Sequence, residues 1–118
     1  MLLDLQNIRS DLSETERQEY VTAVKCLMKL PPKSDKTRFP GAMSRYDDFV
    51  AYHMTHAMQL HDNIHLFGAH KYFVHLYEQA LRTECGYTGY QPVCSLADDL
   101  LVRNSHVADN MLLTICSI

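Results

Sequence analysis

Two short motifs constrain the fold of this chain more than any other feature. Ser13-Glu14-Thr15-Glu16 is a capping box, in which a serine hydroxyl and a glutamate three residues later satisfy each other's free backbone N–H groups. Ser44-Arg45-Tyr46-Asp47 repeats the arrangement, with Asp where Glu or Gln fits better. Each motif opens a run with apolar residues at helical spacing. Tyr20, Val24, Leu27 and Met28 share one face of a helix expected over about 14–30. Pro31 and Pro32 stop it, because neither can continue the hydrogen-bond ladder. After a polar loop with a Pro40-Gly41 turn, the second run carries Tyr46, Phe49, Val50, His53, Met54 and Ala57, and fades before His61-Asp62-Asn63. A third helix is expected from about His70 to Glu84, with Phe73, Tyr77, Ala80 and Leu81 as its stripe and Gly86 as its stop. There is no internal repeat, and no strand pattern outlasts a few residues. The expected class is all-α.

The length of 118 residues fits one domain, and 47% apolar content is ordinary for a globular chain. A net charge of -3 gives no basic footprint for nucleic acid or an anionic membrane, so neither is expected as a partner. No stretch is long and apolar enough to span a bilayer. The opening MLLDLQNIRSDL lacks the basic flank and unbroken apolar run of a signal peptide, which as written points to the cytosol. Of the four cysteines, none forms a C-x-x-C pair, so zinc-knuckle and thioredoxin-type sites are disfavoured. A Cys26–Cys85 disulfide fits an oxidising compartment, and two buried thiols fit the cytosol.

Six of the seven histidines fall between Ala51 and Arg82: His53, His56, His61, His65, His70 and His75. His53 lies on the second helix, His61 in the connection, and His70 opens the third. An antiparallel helix pair can bring these three imidazoles to one point. Neutral imidazole suits copper and zinc, and a three-histidine set with an open position is what a catalytic metal needs. His53 and His56, three apart, could instead chelate on one helix face. His75 lies five residues past His70, about 140° around the helix, and cannot share its ligand. His56, His65 and His75 are read as surface or singly hydrogen-bonded histidines.

Longer motifs carry a family resemblance. LSETERQEYVTAVKCLMKLP, RFPGAMSRYDDFVAYH, and LH followed by AHKYFVHLYEQALRTECGYTGYQP occur in the order of the N-terminal part of the fungal tyrosinase and catechol oxidase family. The likeness covers about Arg9 to Pro92. It implies an antiparallel helix pair plus a leader helix, about half of a tyrosinase-like four-helix core. It implies copper as cofactor, held by His53, His61 and His70 at the family's first copper site, and a parent reaction that oxidises phenols or catechols to quinones with O2. Glu78 matches a family glutamate, whose other reading is a helix-surface salt bridge. Many family members are secreted.

The chain also departs from that pattern. Ala69 stands where the family has a tryptophan, Lys71 replaces an arginine, and the chain has no tryptophan at all. Loss of the ring leaves a hole in the packing beside the ligands, and lysine gives up arginine's planar fork. A looser site with unchanged ligands is expected. Where the family continues GYQPYWDW, this chain reads GYQPVCSLADD. Val93-Cys94 can be encoded by GTATGT, a common start of a fungal intron. The division expected is therefore a partial copper-binding domain over 1–92 and an unrelated tail over 93–118, either translated intron or a divergent exon. His106 in that tail cannot replace a second set of three ligands, so the chain alone is expected to be inactive. The competing functions are a mononuclear three-histidine zinc enzyme and a non-enzymatic helical fragment.

Overall fold

Ser13 begins α1, Glu14–Lys29, as its capping box requires. Its hydroxyl accepts from the Glu16 N–H at 3.3 Å, and the Glu16 carboxylate accepts from the Ser13 N–H at 2.8 Å. At the other end Leu30 turns into extended backbone and Pro31-Pro32 follow. The computed structural model describes residues 12–61 and 63–92. The expectations for the opening residues and for the 93–118 tail lie outside the described residues.

The second capping box works with aspartate. In α2, Arg45–Leu60, the Ser44 hydroxyl accepts from the Asp47 N–H at 3.2 Å, and Asp47 accepts from the N–H groups of Ser44 and Met43 at 2.9 and 3.0 Å. The third helix, α3, runs Leu66–Cys85. It ends where expected: Gly86 takes a left-handed conformation with φ 68°, donating to the Arg82 carbonyl, while Tyr87 donates to that of Leu81. Its start differs from the sequence expectation. The helix begins a turn earlier than His70, with His65 as an N-cap that makes no side-chain bond. The polar signal lies just ahead of that start: Asn63 accepts from the His65 N–H through its side chain at 2.8 Å and from the Leu66 N–H through its carbonyl at 3.2 Å. Among the described residues the structure is all helix, with no strand.

Aromatic pairs give the order of α2 and α3. Tyr46 meets Tyr77, Phe49 meets Tyr77 and Phe73, and His53 meets His70. Numbers rise along one helix as they fall along the other, so the two are antiparallel. The leader helix α1 packs on both. Ala23 and Leu27 from α1, Tyr46 from α2, and Tyr77, Ala80 and Leu81 from α3 form the core with Tyr87. Cys26 and Cys85 are joined as a disulfide, with Cα atoms 5.9 Å apart, and so tie α1 to the last turn of α3. Not all of the expected apolar stripe is covered: Met28, Val50 and Met54 are exposed. The helical period selects a face, but it does not say how much of that face meets a neighbour.

A buried carboxylate holds the loop after α1 against α2. Asp48 accepts from the backbone N–H groups of Lys33 and Ser34 at 2.7 and 3.2 Å, and from the Arg45 guanidinium at 3.0 Å. Arg45 also reaches Glu84 on α3 at 3.1 Å, where Lys33 arrives at 2.9 Å. Burial alone would raise both carboxyls. Hydrogen bonds from Ser34, Lys33 and Arg45 outweigh it at Asp48, and those from Lys33 and Arg45 outweigh it at Glu84, so both lie below the usual carboxylate range. A depressed carboxylate stabilises the fold above its unfolded pKa, and that contribution is lost as pH falls through the folded value. Stability is therefore expected to decline below about pH 4. Asp48→Ala should cost about 2–3 kcal/mol at neutral pH, by loss of several charge-assisted bonds from part-buried donors. It should also flatten the acid limb. Urea unfolding of both proteins across pH checks this, and an unchanged acid limb would count against the assignment.

Candidate metal centre

His53 lies in the third turn of α2, His61 caps its C-terminal end, and His70 is in the second turn of α3. The antiparallel pairing brings the three rings to one end of the pair. Their Nε2 atoms are mutually close: 3.3 Å between His53 and His70, 3.3 Å between His53 and His61, and 3.1 Å between His61 and His70. The three form a group of ligand atoms within 4.8 Å of one another, the one such group among the described residues. His70 is buried, His53 half-buried and His61 exposed, so the cluster has a closed side and an open one.

Backbone chemistry fixes the tautomer at the buried member. The Nδ1 of His70 is 2.7 Å from the Leu66 carbonyl, which can only accept. Nδ1 therefore carries the proton, and Nε2 presents a lone pair to the other two rings. Lone pairs facing one another at this distance repel unless a cation or proton lies between them. Nitrogens about 2.0–2.1 Å from one ion at tetrahedral angles would be about 3.3 Å apart. The donor set thus fits an imidazole-binding transition metal. At His53, burial first, then the neighbouring His70 and His61, push the imidazole's pKa down and favour the neutral, ligating form.

The other histidines go elsewhere. His56 does not join His53 in a chelate, since its Nδ1 turns to the Tyr52 carbonyl at 2.9 Å and its ring lies 4.3 Å from that of Tyr52. His65 is exposed at the helix start, and His75 lies a turn beyond the cluster. Glu78 resolves toward structure: it accepts from the Gln91 N–H at 2.6 Å and lies 3.6 Å from Arg82, holding the loop after α3. Gln91 is itself buried and donates to the Tyr20 hydroxyl at 3.0 Å. Beside the cluster, Tyr52, His53, Ala69, His70 and Phe73 border a cleft of about 10 Å³. Sequence reasoning missed the Tyr52 and Phe73 wall of that cleft. The spacing of Phe73, three residues after His70 on the same helical face, was the signal available.

Comparison with known proteins gives the same neighbourhood. Residues 43–111 match the family described as the common central domain of tyrosinase. The chain belongs to the tyrosinase family. The tyrosinase-like protein orsC of Emericella nidulans is 53% identical over 83 residues, covering 70% of this chain and 22% of that protein. The N-acetyl-6-hydroxytryptophan oxidase ivoB of the same organism is 42% identical over 81 residues, covering 69% and 22%. Among solved structures, a mutant polyphenol oxidase from Thermothelomyces thermophila superposes with a TM-score of 0.73 at 46% identity, covering 75% of this chain and 23% of the other. The tyrosinase-family chain therefore spans under a quarter of the length of these relatives. The all-helical form of the described residues agrees with the likeness to the polyphenol oxidase, and the three-histidine cluster lies within the matched family region.

Proposed function

We propose that His53, His61 and His70 hold one copper ion, and that this ion is one half of a centre that oxidises phenols or catechols to quinones with O2. The observation that carries the proposal is the convergence of three Nε2 atoms at 3.1–3.3 Å with the His70 tautomer fixed by the Leu66 carbonyl. Membership of the tyrosinase family supports copper over other metals that imidazole binds. The names of relatives, a polyphenol oxidase and an N-acetyl-6-hydroxytryptophan oxidase, support hydroxylated aromatic substrates.

Copper in this position supplies one-electron redox chemistry. The chain's own residues do the rest. Leu66 holds the His70 ring in orientation through its carbonyl, and α2 presents His53 from the facing helix. The Phe73 ring, 5.7 Å from that of His53, shields the closed side. The exposed edge at His61 leaves the approach for substrate. Taking two electrons from a catechol in one event calls for a second metal, and the described residues supply one ligand set. The isolated chain is therefore expected to bind copper and to oxidise catechol slowly.

Equilibrium dialysis followed by metal analysis tests the proposal. One copper per chain is expected, with quinone formation from a catechol close to that of the His61→Ala variant. Robust turnover lost in the variant would make the chain a complete oxidase by itself. Zinc retained in place of copper, with hydrolytic activity, would favour the zinc-enzyme alternative. No metal uptake in a folded chain would leave a non-enzymatic helical unit.

A further inference from the structure

The solvent side of α2 carries two methionines that the core does not use. Met54 is 71% exposed and Met58 is 86% exposed. They are four residues apart, and His61 follows three residues after Met58. The His61 N–H still bonds to the Ala57 carbonyl at 3.0 Å, so the helical register runs through it. At about 100° per residue, Met54, Met58 and His61 fall within about 60° of one another around the helix axis. Residues four apart on a helix are neighbours, with Cβ atoms about 5–6 Å apart. Two exposed methionines therefore share one helix face, Met58 one turn and Met54 two turns before the exposed member of the histidine cluster.

We infer that Met54 and Met58 form a thioether site for monovalent copper, which receives the ion on the surface and passes it to His61 and then to the full cluster. The inference rests on the copper reading of the cluster. Its chemistry is that of soft ligands: methionine sulfur selects Cu(I), while imidazole accepts either oxidation state. The transfer changes no oxidation state. Copper–sulfur contacts break as copper–nitrogen contacts form, first at the Nε2 of His61 and then at His53 and His70, whose Nε2 atoms already face that point. His61 suits the relay because it is the one cluster member on the exposed side. An exposed apolar pair could also serve as a packing face, and leucine would serve that role equally well. Only sulfur separates the two roles.

Two measurements on the whole chain test this. Ag(I), a redox-inert stand-in for Cu(I), is titrated into the unaltered protein while the methionine ε-methyl signals are followed by NMR. The Met54 and Met58 methyls should shift together, and the Met43 methyl, equally exposed on the loop before α2, should not. Cu(I) is then supplied anaerobically from a coloured chelate to the protein and to its Met54→Leu/Met58→Leu variant. Uptake should slow about tenfold in the variant, because only the soft ligands are lost. Uptake of Cu(II), which does not favour thioethers, should keep its rate, and Met43→Leu should match the unaltered chain in both. Equal Cu(I) rates in the double variant, or Ag(I) leaving both methyls in place, would overturn the inference. A chain that takes up no copper at its histidines yet shows the Ag(I) shifts would refute the proposed function and leave the thioether site standing.

Discussion

Removing the Cys26–Cys85 bridge is expected to cost about 4 kcal/mol, the entropy of releasing a 59-residue closure in the unfolded chain. That is a large share of the stability of a small domain, roughly 5–15 kcal/mol in total. The bond links α1 to the last turn of α3, so its loss leaves the leader helix held to the antiparallel pair by side-chain packing alone at that end. Packing also holds that junction: Ala23 and Leu27 of α1 are buried against Tyr77, Ala80 and Leu81 of α3, although much of the remaining surface of α1 is exposed. The Cys26→Ser/Cys85→Ser variant should unfold at markedly lower denaturant, and the unaltered chain with reductant should follow the same curve. A shift below 1 kcal/mol would show that packing alone secures α1. The histidine cluster lies toward the opposite end of α3, so copper affinity at low temperature should fall less than stability does.

The sequence was legible where local chemistry decides structure. Ser13 with Glu16, Ser44 with Asp47, and Gly86 each act through bonds to backbone atoms a few residues away, and each boundary lies where those residues place it. The start of α3 was illegible because its signal is weak: His65 makes no side-chain cap bond, and the nearest one, Asn63 Oδ1 accepting from the His65 N–H at 2.8 Å, forms a turn just ahead of the helix. The Asp48 and Glu84 network could not be read at all, because it joins the loop after α1 to α2 and α3 through backbone N–H groups at Asp48 and through the sequence-distant side chains of Lys33 and Arg45 at Glu84. At the candidate site, the identity of three converging histidines was visible as spacing plus helix pairing. The Leu66 carbonyl that orients His70 was not, since any residue there offers the same atom. Glu78 shows the limit of a motif. Its position in the sequence suited two roles, and the structure commits it to Gln91 and Arg82.

Substituting one histidine at a time should separate ligands from bystanders by the largest factor available to this protein. His70→Ala removes the buried member, whose tautomer is fixed, and is expected to weaken copper binding by more than about 100-fold, beyond the range of lost supporting contacts. His53→Ala and His61→Ala should do the same, because two imidazoles cannot close the set. His75→Ala and His56→Ala should leave affinity within about threefold, since helix-surface histidines supply no converging lone pair. His75→Ala costing as much as His70→Ala would sink the assignment. The pH dependence has a definite sign. Protons compete with copper for the same lone pairs, so binding should weaken as pH falls below about 6. Burial and the neighbouring rings lower the pKa of His53, which keeps its nitrogen free to a lower pH than an exposed imidazole would manage. Copper titrations with a competing chelator from pH 5 to 8, on the unaltered chain and the five variants, read both effects, with circular dichroism confirming that each variant remains helical.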